Sequence, residues 1–435
     1  MNDSNRRLAA AAGLAFAGYA VLGWRAGVGG GSGTGWLLAA QAAGWIALAL
    51  AWAGLDKTAA GTDGAPVTRL LVAGALVFRL CGLTVAPGWE DDYHRHLWDG
   101  WLTLRTGSPY GIAPLDWFGS DAVPERMQAV LDGINHPDTP TPYGPVAQAW
   151  SAGAAILGAG KLWVFKAGLV LAEIAAWRVA WRLGGDRALL LLSWCPLAVT
   201  EIAFAGHVDA LVLAAVMAAL GGAAKARPGA VGAWLALAVA TKAYALLLAP
   251  FFLWRGGRRS MVVFGATLLL AYAPWIATTV AAGRPAGAVG GGEGVTAMAA
   301  GFEFNSTGFA LAARLFGDGP ARWVAGGCLL AGWAGLAWRW RGRGDDAPIP
   351  GAALVGWWAL WSPVFHPWYA LLAVPFWVLR PSGWATGLLI ALPLSYQHGL
   401  ALGGADFRHP AWVRPAELAV VAAGALISRW KRRVV

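Results

Sequence analysis

The chain has 435 residues, of which 58% are hydrophobic and only 13% are charged. A soluble globular domain uses about a quarter of its residues for charge, so this composition excludes a soluble fold. A net charge of +10 would indicate nucleic-acid binding in a soluble protein, but here the basic residues lie in short turns between apolar stretches, where they set orientation in a membrane. The composition therefore predicts an integral membrane protein and not a nucleic-acid-binding one.

Apolar stretches recur along the chain, and many approach the roughly 20 residues that a helix needs to cross the hydrocarbon layer. The first begins near residue 8 and resembles a signal peptide, but no convincing cleavage site follows it, so we expect a retained helix. Three predicted spans precede residue 87, and the apolar stretches after residue 145 bring the total to about fourteen spans. The total is twelve or thirteen if some of the shorter stretches do not cross the membrane. We predict an all-α polytopic fold with N-terminal spans (1–68), a membrane core (69–255) and C-terminal spans (256–435).

Basic residues concentrate in the short turns between predicted spans. These residues are Arg6, Arg7, Arg178, Arg182, Arg187, Lys225, Arg227, Arg255, Arg258, Arg259, Arg339, Arg341, Arg343 and the run from Lys431 to Arg433. Because loops rich in Lys and Arg stay in the cytoplasm, we expect these turns on that side. Counting spans then places five segments outside, and these are 87–145, 205–209, 283–306, 364–368 and 398–411. All seven histidines lie in this outer set.

The longest outer segment, 87–145, contains nine acidic residues and three basic ones. A flexible linker would be poor in aromatic residues. This segment instead contains several tryptophans and tyrosines, as an interface or a sugar-binding wall would. We predict a structured external loop that carries helices lying along the membrane surface.

The acidic run EDDYHRHLWDG follows the third predicted span directly. If this run is helical, Asp91, Arg95 and Asp99 share one stripe, with Asp92 and His96 beside it, because residues four apart lie on one face. Paired carboxylates at a membrane surface favour a functional site. The alternative is a solvated charged face with internal ion pairs, since external loops are often acidic.

The segment INHPDTPTPYGP at 134–145 contains four prolines in a dozen residues. Proline fixes its own backbone and restricts the residue before it, so the segment predicts a rigid extended path. Such a path presents Asn135, His136 and Tyr143 as the wall of a pocket. Without its neighbours, the same segment would simply be a stiff connector.

A third group of ionisable residues lies where one predicted span emerges outside and the next returns. Glu201, His207 and Asp209 at this depth are costly in lipid and are expected to face a cavity or a partner. The alternative is a hydrogen bond between helices. Lys242 stands alone in a later apolar run, at a predicted break between two half-length spans. It either pairs with an internal carboxylate or holds a lipid phosphate.

Two further features of the outer side decide little by themselves. A fourth turn contains His366, Trp368 and Tyr369, and Trp and Tyr are common at membrane interfaces anyway. Carboxylates and histidines on one side are compatible with a divalent metal. His94 and His96, however, are two residues apart and point to different sides of a helix. We therefore expect no required cofactor and do not favour a metal.

Together these segments resemble the polyprenol-phosphate-mannose-dependent mannosyltransferases of the GT-C superfamily. The matching segments, in the family's order, are DDYHRHLWDG at 91–100, SPYGIAP at 108–114, INHPDTPTPYGP at 134–145, CPLAVTEIAFAGHVDAL at 195–211 and HPWYALLAVP at 366–375. The ordered set is far more specific than any one motif. Two departures occur, because Gly144 stands where a second proline is usual and Ser108 where asparagine is usual.

The resemblance implies a catalytic core at 69–255 that moves a sugar, mannose by resemblance alone, from a polyprenyl-phosphate donor to a glycan or glycolipid on the outer face. Its members invert the anomeric centre, which needs one general base and no covalent intermediate. We assign the base to Asp91, with Asp92 as the alternative base or its positioning partner, and the donor phosphate to Lys242 and Arg95. The residues expected to hold sugar or acceptor, or to line the lipid entrance, are Asp99, Asn135, His136, Tyr143, Glu201, His207, Asp209, His366, Trp368 and Tyr369.

Three other functions remain open. A flippase or transporter of lipid-linked sugars would also bury charges among helices, but it would not need paired acids at the start of a large external loop. A ligase or polymerase that moves whole glycans from lipid pyrophosphates differs in its donor. A structural partner in a cell-envelope complex is favoured only if the acidic run is dispensable. The abundance of Ala, Gly, Arg and Trp indicates a GC-rich bacterial genome. We therefore expect a bacterial cytoplasmic membrane, with the site on the outer side that the basic turns indicate.

Overall fold

A computed structural model describes residues 3–28, 34–55, 65–343, 347–398 and 409–434 of the chain. The chain is 80% helical, and within these ranges no strand forms. The one pairing of extended backbone described there is an isolated bridge between Phe304 and Val364. Residues 399–408, which make up most of the predicted outer loop 398–411, lie outside the described ranges. The prediction of an all-α fold is confirmed.

Eighteen α-helices follow one another along the described residues. They are α1 (Asp3–Val28), α2 (Thr34–Leu55), α3 (Ala65–Leu83), α4 (Asp92–Thr106), α5 (Glu125–Asp132), α6 (Pro145–Gly158), α7 (Leu162–Ser193), α8 (Pro196–Ala198), α9 (Asp209–Ala224), α10 (Pro228–Thr241), α11 (Ala249–Ala281), α12 (Gly292–Gly301), α13 (Gly308–Phe316), α14 (Asp318–Arg341), α15 (Gly351–Trp361), α16 (Val374–Leu379), α17 (Gly383–Ala391) and α18 (Val413–Val434). A π-helical turn follows α8 at Val199–Phe204. Short 3-10 turns lie at Pro114–Trp117, Ala243–Leu248, Ala286–Ala288, Pro367–Leu372 and Leu392–His398.

Several of these helices fit a membrane. Four described stretches are long and apolar enough to cross it, and these are Asn5–Val28, Thr34–Leu55, Ala65–Leu83 and Ala243–Ala281. The pair formed by α7 with Pro196–Phe204 is bent by 58° and would be a fifth crossing if it is one span. Helices α9, α10 and α15 are apolar but shorter, at 16, 14 and 11 residues. The polytopic membrane fold is confirmed, and the count of 12–14 spans stays a prediction.

Two predicted basic turns coincide with breaks inside long helices. In α7 the backbone leaves the helical conformation at Gly184 and Gly185, and in α11 it does so at Gly257. Gly185 and Gly257 have φ values of 64° and 61°, a conformation that glycine adopts without the steric cost of a side chain. The turns that charge alone predicted are therefore built on glycine.

The chain divides into two compact units that are interleaved in sequence. The first unit consists of Met1–Glu90, Leu169–Gly206 and His366–Val435, and the second of Asp91–Gly168 and His207–Phe365. The predicted division at residues 68 and 255 follows the order of the spans and stays a prediction.

A buried ion pair joins α3 and α7 in the first unit. The Arg79 guanidinium donates two hydrogen bonds to the Glu173 carboxylate, one of them 3.1 Å long, and a further one to the carbonyl of Ser193. Both charged side chains are almost fully buried, at 2% and 0% exposure. Charges at such depth are costly unless they are paired. The ion pair therefore joins α3 to the first segment of α7, and the bond to Ser193 joins α3 to the end of α7.

Close backbone approach organises the second unit. A Cβ atom on Gly100 of α4 would lie 2.2 Å from the carbonyl oxygen of Ser151 in α6, so α4 and α6 pack tightly only with glycine there. In the same way, Gly232 of α10 sits against the carbonyl of Ser260 in α11 at 2.2 Å. Both contacts lie in the compact unit that also contains the start of α4, the proline path and the end of α10.

Candidate active site

The acidic run forms the start of α4. Asp91 occupies the N-cap position, Asp92 is the first helical residue, and the amide of His94 donates to the Asp91 carbonyl at 3.0 Å. The unpaired amides at a helix N-terminus carry partial positive charge, which stabilises carboxylates placed there. Asp91 is only 5% exposed and Asp92 is half-buried. The sequence thus produces two adjacent carboxylates held at a helix N-terminus.

The predicted stripe of charges on α4 is present as an ion pair. Arg95 Nε donates to Asp99 Oδ1 at 3.0 Å, and Arg95 Nη2 donates to the carbonyl of Thr139 at 2.8 Å. The other oxygen of Asp99 accepts from Gln148 Nε2 of α6 at 2.9 Å. Arg95 and Asp99 are both buried, so the alternative of a solvated charged face does not hold for them. The pair fastens α4 to the proline path and to α6.

Tyr143, at the end of the proline path, contacts several predicted site residues at once. Its hydroxyl donates to Asp92 Oδ2 at 3.1 Å. Its ring centroid is 4.2 Å from that of His96 and 5.3 Å from Lys242 Nζ. A cation over an aromatic ring is attracted by the negative face of the ring. The proline path is therefore one wall of the charged cluster and not merely a connector.

Lys242 lies in extended backbone between the end of α10 and the following 3-10 turn, which is the break that the sequence predicted. Its Nζ donates to Asp209 Oδ2 at 2.6 Å, and the hydroxyl of Tyr244 donates to Asp209 Oδ1. Asp209 is fully buried and begins α9. Of the two roles left open for Lys242, pairing with an internal carboxylate is present in the structure, and it places an ammonium group beside Tyr143.

Histidines surround this cluster. A ring nitrogen of His207 and a carboxylate oxygen of Asp92 lie within 4.8 Å of each other. Burial lowers the pKa of His96 well below its usual range, and the nearby charge of Lys242 lowers it further, so this ring is neutral near pH 7. Burial also lowers the pKa of His136, against the opposing effect of Asp138. His96 therefore adds no positive charge to the cluster near pH 7.

The predicted site residues fall into two groups, one in each unit. The second unit contains Asp91, Asp92, Arg95, Asp99, Asn135, His136, Tyr143, His207, Asp209 and Lys242. The first unit contains Glu201, His366, Trp368 and Tyr369.

The first-unit group is centred on a buried carboxylate and stacked rings. Glu201, fully buried in the π-helical turn, accepts a hydrogen bond of 2.8 Å from the Tyr396 hydroxyl. This is the helix-to-helix hydrogen bond that the sequence left as an alternative. The ring of His366 stacks on Trp368 at 4.2 Å and 10°, and Trp368 lies 6.5 Å from Tyr396. The Glu201 carboxylate and the stacked rings of His366 and Trp368 are therefore connected through Tyr396.

Both departures from the family pattern have structural reasons. The amide of Gly144 donates to the carbonyl of Thr241 at 3.1 Å, a bond that proline has no hydrogen to make. The Ser108 hydroxyl is 2.7 Å from that of Thr279 in α11. Arg284 donates to the carbonyls of Ser108, at 2.9 Å, and of Tyr110. The loop after α4 is thus held by α11 and the segment that follows it.

Sequence reasoning missed several residues of the cluster. Gln148 bridges Asp99 and the hydroxyl of Thr141, the latter at 2.8 Å, and Tyr110 donates its hydroxyl to the carbonyl of Tyr143 at 3.1 Å. Nothing in the sequence marks Gln148 as a bridge, because its partners lie on other segments. Tyr244 had a signal, since it is a polar aromatic residue two positions after a lone lysine in an apolar run.

The comparison with known families decides the class of protein. Residues 9–258 match the family described as alpha-(1->6)-mannopyranosyltransferase, N-terminal domain, which is more than half of the chain. The chain belongs to this family. It is therefore a glycosyltransferase of a mannosyltransferase family, with a sugar donor and a glycan acceptor as its general partners. No curated protein and no solved structure gives a further match.

The match also separates the candidate residues. Eleven of the fourteen predicted site residues lie inside the mannosyltransferase domain match, including the whole second-unit group and Glu201. His366, Trp368 and Tyr369 lie beyond it. The cluster around Tyr143 is thus part of the segment that carries the family likeness.

Proposed function

We propose that the protein transfers mannose from a polyprenyl-phosphate-mannose donor to a hydroxyl group of a glycan or glycolipid, with inversion, on the outer face of a bacterial cytoplasmic membrane. The family description supports an α-(1→6) linkage as the product. One observation carries the proposal. Two carboxylates at the N-terminus of α4 lie in the same buried cluster as the ammonium of Lys242, with Tyr143 between Asp92 and Lys242.

The first element of the mechanism is a general base. The acceptor oxygen attacks the anomeric carbon of mannose while its proton passes to Asp91, and the bond from that carbon to the phosphate oxygen breaks. Inversion needs only this one carboxylate and no covalent enzyme-sugar intermediate. Asp92, which accepts the Tyr143 hydroxyl, positions the base. The products are the new glycoside and the polyprenyl phosphate.

The second element is stabilisation of the leaving group. Negative charge grows on the phosphate oxygens as the bond breaks, and a fixed cation nearby lowers the energy of that state. An ammonium donates up to three hydrogen bonds, and that of Lys242, which donates one to Asp209, brings its positive charge to the same cluster as the two carboxylates. Arg95 adds positive charge to the same cluster while holding Asp99 and Thr139. The proposal requires no metal, because a carboxylate takes the proton and cations face the phosphate.

The remaining predicted residues provide binding contacts. We assign sugar and acceptor hydroxyls to the polar side chains Asp99, Asn135, His136, Tyr143, Glu201, His207 and Asp209. The stacked pair of His366 and Trp368, with Tyr369 beside it at 5.4 Å from His366, is assigned to the lipid entrance. Aromatic faces suit both sugar rings and isoprene chains because both present C–H groups.

The test is transfer by the purified full chain in nanodiscs. The protein is supplied with radiolabelled polyprenyl-phosphate-mannose and a crude membrane lipid acceptor, and wild type is compared with Asp91→Asn and Asp121→Asn. Asp121 is an exposed acid of the same loop and serves as the matched control. We expect Asp91→Asn to bind donor but to lose transfer, roughly a 10²–10⁴-fold effect for a general base, and Asp121→Asn to retain it.

The rival functions predict other results. A flippase would show no transfer with any polyprenyl-phosphate sugar but would move the labelled lipid across a vesicle membrane. A glycan ligase would act on a lipid pyrophosphate and not on the monophosphate. Full transfer by Asp91→Asn would remove Asp91 as the base and leave Asp92 to be tested in its place.

A further inference from the structure

A separate cavity of about 580 Å³ lies in the first unit, between the first turn of α3 and the break in α7. Its lining consists of Ala65, Thr68, Arg69, Trp181, Gly185 and Asp186. None of these residues takes part in the proposed transfer. The cavity therefore requires its own explanation.

Asp186 builds the wall of this cavity. One of its carboxylate oxygens accepts hydrogen bonds from the Thr68 hydroxyl at 2.6 Å and from the Trp181 indole at 3.1 Å. These two bonds tie the start of α3 to α7 on either side of the break. Gly185, with φ of 64°, lets the backbone turn there. The carboxylate is thus engaged in holding the helices together.

The charge available to a ligand is positive. Arg69 is exposed, and its guanidinium makes no ion pair or hydrogen bond with the described part of the chain. Arg178, Arg182 and Arg187 are also exposed and lie on the stretch of α7 around the break. Arg69 is thus the one arginine among the described residues that line this cavity, where Asp186 is engaged by Thr68 and Trp181, and its guanidinium fork matches the oxygens of a phosphate group.

The position of the cavity indicates the kind of phosphate. Helix α3 is long and apolar enough to cross a membrane, and the cavity lies at its first turn, where a span meets the headgroups. Trp181 is 46% exposed, as indoles at membrane interfaces are. We propose that this cavity binds the phosphodiester headgroup of an anionic membrane lipid, with Arg69 as the phosphate ligand.

Two substitutions test the proposal, one that removes a positive charge from the cavity and one that removes a negative charge. The full chain in detergent is titrated with phosphatidylglycerol or phosphatidylcholine, and bound lipid is counted by native mass spectrometry. We expect Arg69→Gln to weaken phosphatidylglycerol binding about tenfold, since a charge-assisted hydrogen bond is lost. Asp186→Asn should strengthen it several-fold, because the amide oxygen still accepts from Thr68 and Trp181 while the negative charge is gone.

The control is Arg258→Gln, which removes an exposed arginine from the other glycine-based turn. It should leave phosphatidylglycerol binding unchanged, and phosphatidylcholine should bind weakly to every variant. Equal losses of phosphatidylglycerol binding in Arg69→Gln and Arg258→Gln would mean diffuse surface attraction and would overturn the site, as would weaker binding by Asp186→Asn.

Inorganic phosphate is added alone in a third arm of the experiment. The proposal of a lipid site would be overturned if inorganic phosphate raised the melting temperature of wild type but not of Arg69→Gln, while wild type retained no phosphatidylglycerol. The cavity would then bind soluble phosphate.

Discussion

Tyr143 is the residue on which the second-unit cluster depends, because its hydroxyl and its ring serve different partners. The hydroxyl donates to Asp92, while the ring lies between His96 and Lys242. Tyr143→Phe removes the first contact and keeps the others. We expect kcat to fall about tenfold, the loss associated with one hydrogen bond of about 1–1.5 kcal/mol, while the KM for donor stays nearly constant. Steady-state mannose transfer in nanodiscs measures both constants.

Tyr272→Phe is the matched control, since Tyr272 belongs to the same unit but not to this hydrogen-bonded cluster. It should transfer mannose at the wild-type rate. If Tyr143→Phe also retains its kcat, then Tyr143 does not position Asp92 for the reaction. A rise in donor KM without a change in kcat would mean that the Tyr143 hydroxyl contacts the donor sugar and does not position Asp92.

Variants of Lys242 and Asp209 separate the contribution of Lys242 to stability from its contribution to transfer. Lys242→Gln leaves the fully buried Asp209 carboxylate without its cation, which costs about 3–5 kcal/mol in a buried pair. The double variant Lys242→Gln with Asp209→Asn removes both charges. We expect the single variant to melt at a lower temperature and the double variant to recover most of that stability. Transfer should remain lost in both, because neither has an ammonium for the phosphate.

Thermal unfolding and transfer assays on the same preparations check this pair. Wild-type transfer by the double variant would show that Lys242 serves only to neutralise Asp209. Failure of the double variant to regain stability would show that the lost stability comes from contacts of Lys242 other than the ion pair, such as that with the Tyr143 ring. The two readouts therefore distinguish the roles that the sequence left open.

At the scale of elements, the contact between α6 and α10 sets the position of the proline path. Gly144 precedes α6, and a Cβ atom there would lie 2.2 Å from the carbonyl oxygen of Ala240 in α10. Gly144→Ala must therefore push α6 away from α10, at a cost of about 1–3 kcal/mol for overpacking. Because Tyr143 is the adjacent residue, we expect both the melting temperature and kcat to fall.

Gly153→Ala is the control for that substitution. Gly153 lies inside α6, and a Cβ atom there meets nothing within 4 Å. Alanine has the higher helix propensity, so this variant should be as stable as wild type or more stable, by up to about 1 kcal/mol. Equal destabilisation of the two variants, measured by thermal unfolding, would mean that the effect comes from helix α6 generally and not from its contact with α10.

The elements themselves were largely predictable from the sequence, whereas their partners were not. Basic residues located the turns near Gly185 and Gly257, and the four-residue spacing predicted that Arg95 and Asp99 lie on one face of α4, where they form an ion pair. Both depend on residues close in sequence. The bridge from Gln148 to Asp99 and the bond from Tyr396 to Glu201 join positions 49 and 195 residues apart. Such contacts follow from how helices pack, which hydrophobic spacing in an apolar chain leaves undetermined.

At the scale of the whole molecule, the segments that connect the predicted spans are of two kinds, one acidic and the other rich in arginine. The loop 87–145 carries nine acidic residues against three basic ones, whereas the turns near residues 178–187 and 255–259 are rich in arginine. Arginine-rich turns are retained in the cytoplasm. The proposed use of a lipid-linked donor on the outer face therefore requires the acidic loop and the basic turns to lie on opposite sides of the membrane.

Labelling of single cysteines tests this arrangement. Cys81, Cys195 and Cys328 are replaced by alanine, and Asp121→Cys or Arg258→Cys is added, since both positions are exposed. In right-side-out vesicles, we expect a membrane-impermeant maleimide to label Asp121→Cys at once and Arg258→Cys only after permeabilisation. Retained mannose transfer shows that each variant is folded. The reverse pattern, or immediate labelling of both, would contradict an outer-face site, because the acceptor hydroxyl and the acidic loop must meet on one side of the membrane.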